Sequence, residues 1–289
     1  MTASASISRP ALRYHGGKWR LAPWIISHFG AHRTYVEPFG GGASVLLRKQ
    51  RAYGEIYNDI DEAIVSFFRV LRDPVSSEKL ERLVRLTPFA RGEFLDAYAP
   101  TDDPVEAARR LLIRSFMGFG SDGILATMRT GFRAGARRSG TTPATDWSRW
   151  PDQIGALCER LRGVVVENRP ALDVIGKHDA DDTLFYVDPP YVHDTRSRVG
   201  AGRGYAHEMS DTDHIDLARL LENVKGAVVL SGYRCRLYDQ IYEGWTRVDR
   251  VTHADGARVR VESLWLNARA RHVVGAAGET SLFSEVGAA

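Results

Sequence analysis

The chain has 289 residues, 44% of them hydrophobic, which is ample for a core that folds unaided as one large α/β domain or a main domain carrying a smaller one. Its formal charge of +3 and pI near 8.9 are compatible with a polyanionic partner without requiring one. Cys158 and Cys235 show no disulfide or zinc-ligand spacing, and no apolar leader or run of about 18 apolar residues occurs, so a cytoplasmic protein with reduced core thiols and no metal is expected.

Residues 13–26 place the pair Gly16-Gly17 ahead of Leu21, Trp24, Ile25 and Ile26, which lie near helical spacing, so a loop feeding a helix is predicted. Lys18 has the reach for a carboxylate or phosphate, although a surface turn with a solvated lysine is the simpler account of this stretch alone. Residues 34–47 read Thr-Tyr-Val-Glu-Pro-Phe-Gly-Gly-Gly-Ala-Ser-Val-Leu-Leu: a short strand, a glycine turn and a helix, the grammar of a nucleotide-type site. It is neither a P-loop nor a dinucleotide fingerprint, lacking the Gly-Lys-Ser/Thr of one and the spacing of the other. A second strand over 54–61 ends in acids, and Asp59 stands where doubly wound nucleotide sites grip a ribose diol. Asp61 reads as the N-cap of a helix over 62–71 that buries Ile64, Phe67, Phe68 and Leu71.

From 73 to 150 the character changes. Helical patterns at 76–85, 91–98 and 104–116 are broken by Pro and Gly and followed by 118–145, which carries Arg129, Arg133, Arg137 and Arg138 among glycines, serines and threonines. Arginine on an adaptable backbone suits phosphate clamping and guanine-edge reading; a solvated loop is the bland alternative. A third strand turning into a short helix follows at 163–175. Beyond the next strand, a Gly/Arg loop over 192–213 with Arg196, Arg198 and Tyr205-Ala-His207 reads as a lid, with Tyr205 or His207 near a bound base. A helix at 213–221, an apolar strand at 227–231 and polar/apolar alternation at 245–251 and 259–266 complete the chain, the last two as antiparallel strands.

The organising stretch is Leu-Phe-Tyr-Val-Asp-Pro-Pro-Tyr at 184–191. Proline supplies no ladder donor and keeps the preceding residue extended, so a buried strand stops abruptly at Asp188. At the carboxyl edge of an open α/β sheet this sets one carboxylate and one ring, Tyr191, on the stiff Pro189-Pro190 support. Such a unit suits methyl transfer to an exocyclic amine, a poor nucleophile because its lone pair is delocalised into the ring. Asp188 and a backbone carbonyl of the Pro-Pro unit can each accept one N–H bond, while Tyr191 stacks on the flat base.

Four elements in this order, Tyr14-x-Gly-Gly-Lys18, Pro38-Phe39-Gly40-x-Gly42, Asn58-Asp59-Ile60 and Asp188-Pro189-Pro190-Tyr191, resemble the Dam-like family of adenine-N6 DNA methyltransferases. The resemblance implies a Rossmann-like, S-adenosylmethionine-dependent methyltransferase sheet built from residues 1–72 and 151–289, with a small helical DNA-recognition subdomain inserted at 73–150. It further implies that Tyr14 and Lys18 contact S-adenosylmethionine, that Phe39, Gly40 and Gly42 form the loop for its methionine moiety with Glu37 available to its ammonium, and that Asp59 holds its ribose. By position Asn168, and more weakly Asp173, falls beside its adenine, though an N-cap explains either. Asp188 borders both cofactor and base. The DNA contacts expected are Arg129, Arg133, Arg137, Arg138, Arg196, Arg198 and Tyr205 on double-stranded DNA, with a monomer expected and a dimer as the alternative. Cytosine-N4 methylation, an RNA or protein acceptor, and a regulator that binds DNA without turnover stay open as rivals; Ser and Asn are the residues more usual before Pro-Pro in the first two.

Overall fold

The computed structural model describes residues 7–14, 16–120, 129–135, 141–192, 207–253 and 259–271. Among them a seven-stranded sheet is built from β1 (Thr34–Glu37), β2 (Gly54–Asn58), β3 (Val164–Glu167), β4 (Thr183–Val187), β5 (Ala227–Gly232), β6 (Thr246–His253) and β7 (Val259–Leu266). The order is β3-β2-β1-β4-β5-β7-β6, with the first five parallel and β7 antiparallel to both β5 and β6. The chain winds outward from β1 through β2 to β3 and from β4 to β5 on the other side. The carboxyl ends of β1 and β4 therefore flank the crevice where such sheets hold ligands.

Every residue of β4 and of β5 is buried, because helices cover both sheet faces. Alternate side chains go to opposite sides: Tyr35, Tyr57, Leu184, Tyr186 and Val229 to one, Val36, Ile56, Phe185, Val187 and Leu230 to the other. The first side is covered by α1 (Ala22–Ile26), α2 (Glu62–Arg72), α3 (Pro74–Leu86), α4 (Arg91–Asp96), α5 (Pro104–Met117), α6 (Pro143–Ser148) and α7 (Ile154–Leu161), and the second by α8 (Ala171–Lys177), α9 (Asp211–Glu222) and α10 (Arg236–Ile241). This is a three-layer, Rossmann-like α/β fold. Side-chain caps fix where several helices begin: Asp61 accepts from the Ala63 amide, Asp103 from Val105 and Glu106, and Ser210 with Asp213 forms a reciprocal capping box at α9.

Helices α3 to α6 share one continuous buried cluster with α2 and the sheet. Trp150 locks this junction: fully buried, it packs on Phe67 and Phe116 and donates its indole N–H to the Ala11 carbonyl at 3.1 Å. Cys158 and Cys235 are free and half-buried. One element departs from its sequence pattern. The helix expected after the glycine turn does not form; residues 44–49 make only overlapping turns, with Leu47 N–H donating to Ala43 O and Lys49 N–H to Val45 O. Gly41 and Ala43, at φ 48° and 52°, hold the chain in the left-handed region, so no right-handed helix can run through the turn itself.

Candidate functional site

A cavity of about 350 Å³ opens at the carboxyl ends of β1, β2 and β4. Its floor is the glycine turn, wedged between two aromatic rings. A Cβ on Gly40 would come within 2.1 Å of the Tyr57 ring, and one on Gly41 within 2.8 Å of Tyr14. Tyr57 also donates its hydroxyl to Gly41 O at 2.7 Å, so the turn is held from both sides. Asn58 completes the brace by donating to the carbonyls of Pro38 and Arg169 and accepting from the Arg169 amide.

Two buried carboxylates face this floor. Glu37, at the end of β1, is 2% exposed, and its Oε2 has no hydrogen-bond partner among the described residues. Burial pushes its pKa up to about 8, against the pull of the Leu46 amide. Asp59 accepts from the Gly41 amide at 2.7 Å and the Asp61 amide at 2.9 Å, and burial raises it to about 6. Phe39 and Leu172 add apolar wall. The donor set is thus an acceptor for a cation, an acceptor for hydroxyls, and apolar surface.

At the other end stands Asp188, just past β4. Its Oδ1 accepts from Ser231 Oγ at 2.6 Å, and its Oδ2 lies 3.0 Å from Lys18 Nζ. Burial raises the Asp188 proton affinity, and Lys18 opposes that rise. Lys18 is 4% exposed, donates also to Gly16 O at 2.7 Å, and sits 4.8 Å from the centre of the Tyr191 ring. Lys18 therefore reaches the Asp188 carboxylate as well as lining the cavity. Tyr191 is 6% exposed and donates its hydroxyl to Glu262 Oε2 at 3.0 Å. Pro190 lines the cavity, and Pro189 is buried beneath.

Tyr14, Lys18, Glu37, Phe39, Gly40, Gly42, Asp59 and Asp188 are all brought to this one cavity. Asn168 is not. Its amide bonds the carbonyls of Asp59 and Ile60, so it braces the turn, and residues 169–172 form the wall instead. Asp173 pairs with Arg169 at 3.6 Å, on α8. His207 lies at the cavity rim within electrostatic reach of Asp59. Arg129 stacks over Tyr98, and Arg133 donates to Phe116 O beside a short ladder in which Phe119 N–H bonds Gly131 O. Arg137, Arg138, Arg196, Arg198 and Tyr205 lie outside the described residues. The sequence pattern did not single out Ser231, Tyr233 or Glu262. A signal existed for Glu262: alternation along β7 puts it on the same face as the buried Leu264 and Leu266, an unusual position for an acid.

The profile of the D12 class N6 adenine-specific DNA methyltransferase family matches residues 14–254. The chain belongs to that family. By its description, that family comprises DNA methyltransferases specific for adenine N6. Among solved structures, a SAM-dependent methyltransferase from Agrobacterium tumefaciens matches at 15% identity over 66% of this chain, with a TM-score of 0.22; the match spans 60% of that chain. The chain has, among the described residues, no cluster of His, Cys, Asp and Glu able to hold a metal ion and no helix long and apolar enough to cross a membrane.

Proposed function

We propose that the protein methylates adenine N6 in double-stranded DNA, flipping the base out of the duplex and transferring the methyl group by direct in-line attack. One observation carries this reading. A protonated amine, that of Lys18, already rests on Asp188 Oδ2 at 3.0 Å and 4.8 Å from the centre of the Tyr191 ring. This is the arrangement an adenine amino group needs if the base stacks on Tyr191 and gives one N–H to Asp188.

The residues fit S-adenosylmethionine. The bare Glu37 Oε2 suits its ammonium, Asp59 its ribose hydroxyls, and Phe39 and Leu172 its adenine, while the turn between Tyr14 and Tyr57 leaves the backbone open to close approach. When bound, the cofactor supplies an electrophilic methyl group on its sulfonium. Ser231 keeps Asp188 Oδ1 occupied, which leaves Oδ2 for the amine once Lys18 withdraws. Asp188 Oδ2 and a Pro-Pro carbonyl orient N6 with its lone pair free, and Tyr191 fixes the base plane. Asp188, with its raised proton affinity, is also an acceptor for the proton the methylated amine must lose. Positioning and charge stabilisation carry the rate, with no covalent enzyme intermediate.

We assign the inserted helices at 73–150 to DNA recognition, together with Arg129 and Arg133 on the ladder they lead into. Incubating purified protein with unmethylated duplex and radiolabelled S-adenosylmethionine, then digesting to nucleosides, tests the reading: label should appear in N6-methyladenine. Asp188→Ala should lower turnover on the order of a thousandfold while cofactor affinity stays within about threefold. Label in RNA or protein but not in DNA, or a variant of near wild-type activity, would sink it.

A further inference from the structure

Strand β7 is longer than its neighbour β5. Pairing with β5 stops at Ser263 opposite Gly232, while pairing with β6 continues to Val259 opposite His253. The first part of β7 thus overhangs the carboxyl edge of the sheet beside the catalytic end of the cavity. The overhang turns Arg260 and Glu262 to the same face. Glu262, 8% exposed, accepts the Tyr191 hydroxyl at 3.0 Å. Tyr233 packs edge-on against Tyr191, with ring centres 4.6 Å apart at 66°, and Arg260 donates to the Tyr233 hydroxyl at 3.1 Å.

We propose that Glu262 is a positioning residue for the catalytic aromatic: by accepting the Tyr191 hydroxyl it fixes the plane against which the flipped base stacks, with Tyr233 and Arg260 backing that ring. The inference rests on the methyltransferase reading above. A ring held at its Cβ end by the Pro-Pro support alone can still tilt about χ2 and slide. An acceptor at its far end removes both freedoms, and small displacements of a stacked substrate carry large rate penalties. Glu262 also sits near enough to Asp188 to raise its proton affinity, an unfavourable pairing of a buried acid with a partly buried carboxylate. A role in packing alone gives no reason to keep a charge there. A strong, charge-assisted acceptor for Tyr191 does.

The test compares wild type with Glu262→Gln, Glu262→Ala, Tyr191→Phe and the double variant Glu262→Ala/Tyr191→Phe, measuring kcat, KM for duplex DNA, cofactor affinity and urea unfolding. Glu262→Ala should lower kcat about thirtyfold with cofactor affinity within about twofold. Glu262→Gln keeps a carbonyl acceptor and should recover to within about threefold of wild type. Tyr191→Phe should match Glu262→Ala, and the double variant should be no worse than either. Multiplying losses, or a Gln variant as poor as Ala, would overturn the proposal. Unfolding needs no substrate, so it separates this inference from the functional reading. Should wild type bind cofactor yet leave DNA unlabelled, the function falls, and the unfolding cycle still decides: an about tenfold coupling between positions 191 and 262 supports the fixed ring, and none overturns it.

Discussion

Glu37 ends β1 with one carboxylate oxygen bare and a pKa near 8; Asp59, just past β2, has one near 6. Both are raised by burial, so both favour the protonated form in the folded, free protein. Their contribution to stability is present at low pH and lost as pH rises through about 6 for Asp59 and about 8 for Glu37. Free wild type should therefore lose stability from about pH 4.5 to about pH 8 relative to Glu37→Gln and level off above that, read as the difference in Tm. Cofactor affinity should move the opposite way, because only ionised Glu37 attracts an ammonium. Calorimetry at pH 7 in buffers of different ionisation heat should show proton release on binding, absent in Glu37→Gln. A wild-type profile parallel to the variant's would remove Glu37 from the cofactor site. At this scale the legible residues were those whose chemistry is announced by a local neighbour: Asp188 by its prolines, Glu37 and Asp59 by a strand end next to a turn. Ser231 and Glu262 act through partners 43 and 71 positions away in the chain, and no local pattern reports such a pairing.

The glycine turn was legible as a turn, but its reason differs from the one composition suggests. Its glycines are required first by the protein's own rings. Gly40 is pressed on Tyr57, and Gly41 both packs on Tyr14 and adopts φ 48°. Gly40→Ala, with its Cβ 2.1 Å from a fully buried ring, should cost about 1–3 kcal/mol in urea unfolding and weaken cofactor binding more than tenfold. Gly54→Ala at the start of β2 meets only Thr34 at 3.6 Å and should change stability by less than about 1 kcal/mol. Equal effects at the two sites would refute the wedge. The residues after the turn have helical composition yet form only overlapping turns, and the left-handed backbone at Gly41 and Ala43 is one that propensity does not encode. The strands, by contrast, were read closely, because buried parallel strands leave continuous apolar runs.

Across the whole molecule, the segment at 73–150 is distinct in sequence but shares a core with the sheet, through α2, α5 and Trp150. Urea unfolding followed by tryptophan fluorescence and by far-UV circular dichroism should give one coincident transition. Two separated transitions would show that the inserted helices fold apart from the rest. Composition shift marks where a segment begins and ends, but it does not tell whether its helices close on themselves or on their neighbours.

Strands β1 and β4 lie side by side, with Val36 opposite Phe185, although the whole stretch from β2 to α8 intervenes between them in the chain. Glu37 and Asp188 are set side by side by that register and by the turns at the two strand ends. Closing a longer or shorter excursion between them changes the free energy only slowly with length. Descendants of such a gene can therefore lengthen or shorten the helices at 73–150 while the register that sets Glu37 beside Asp188 is inherited unchanged.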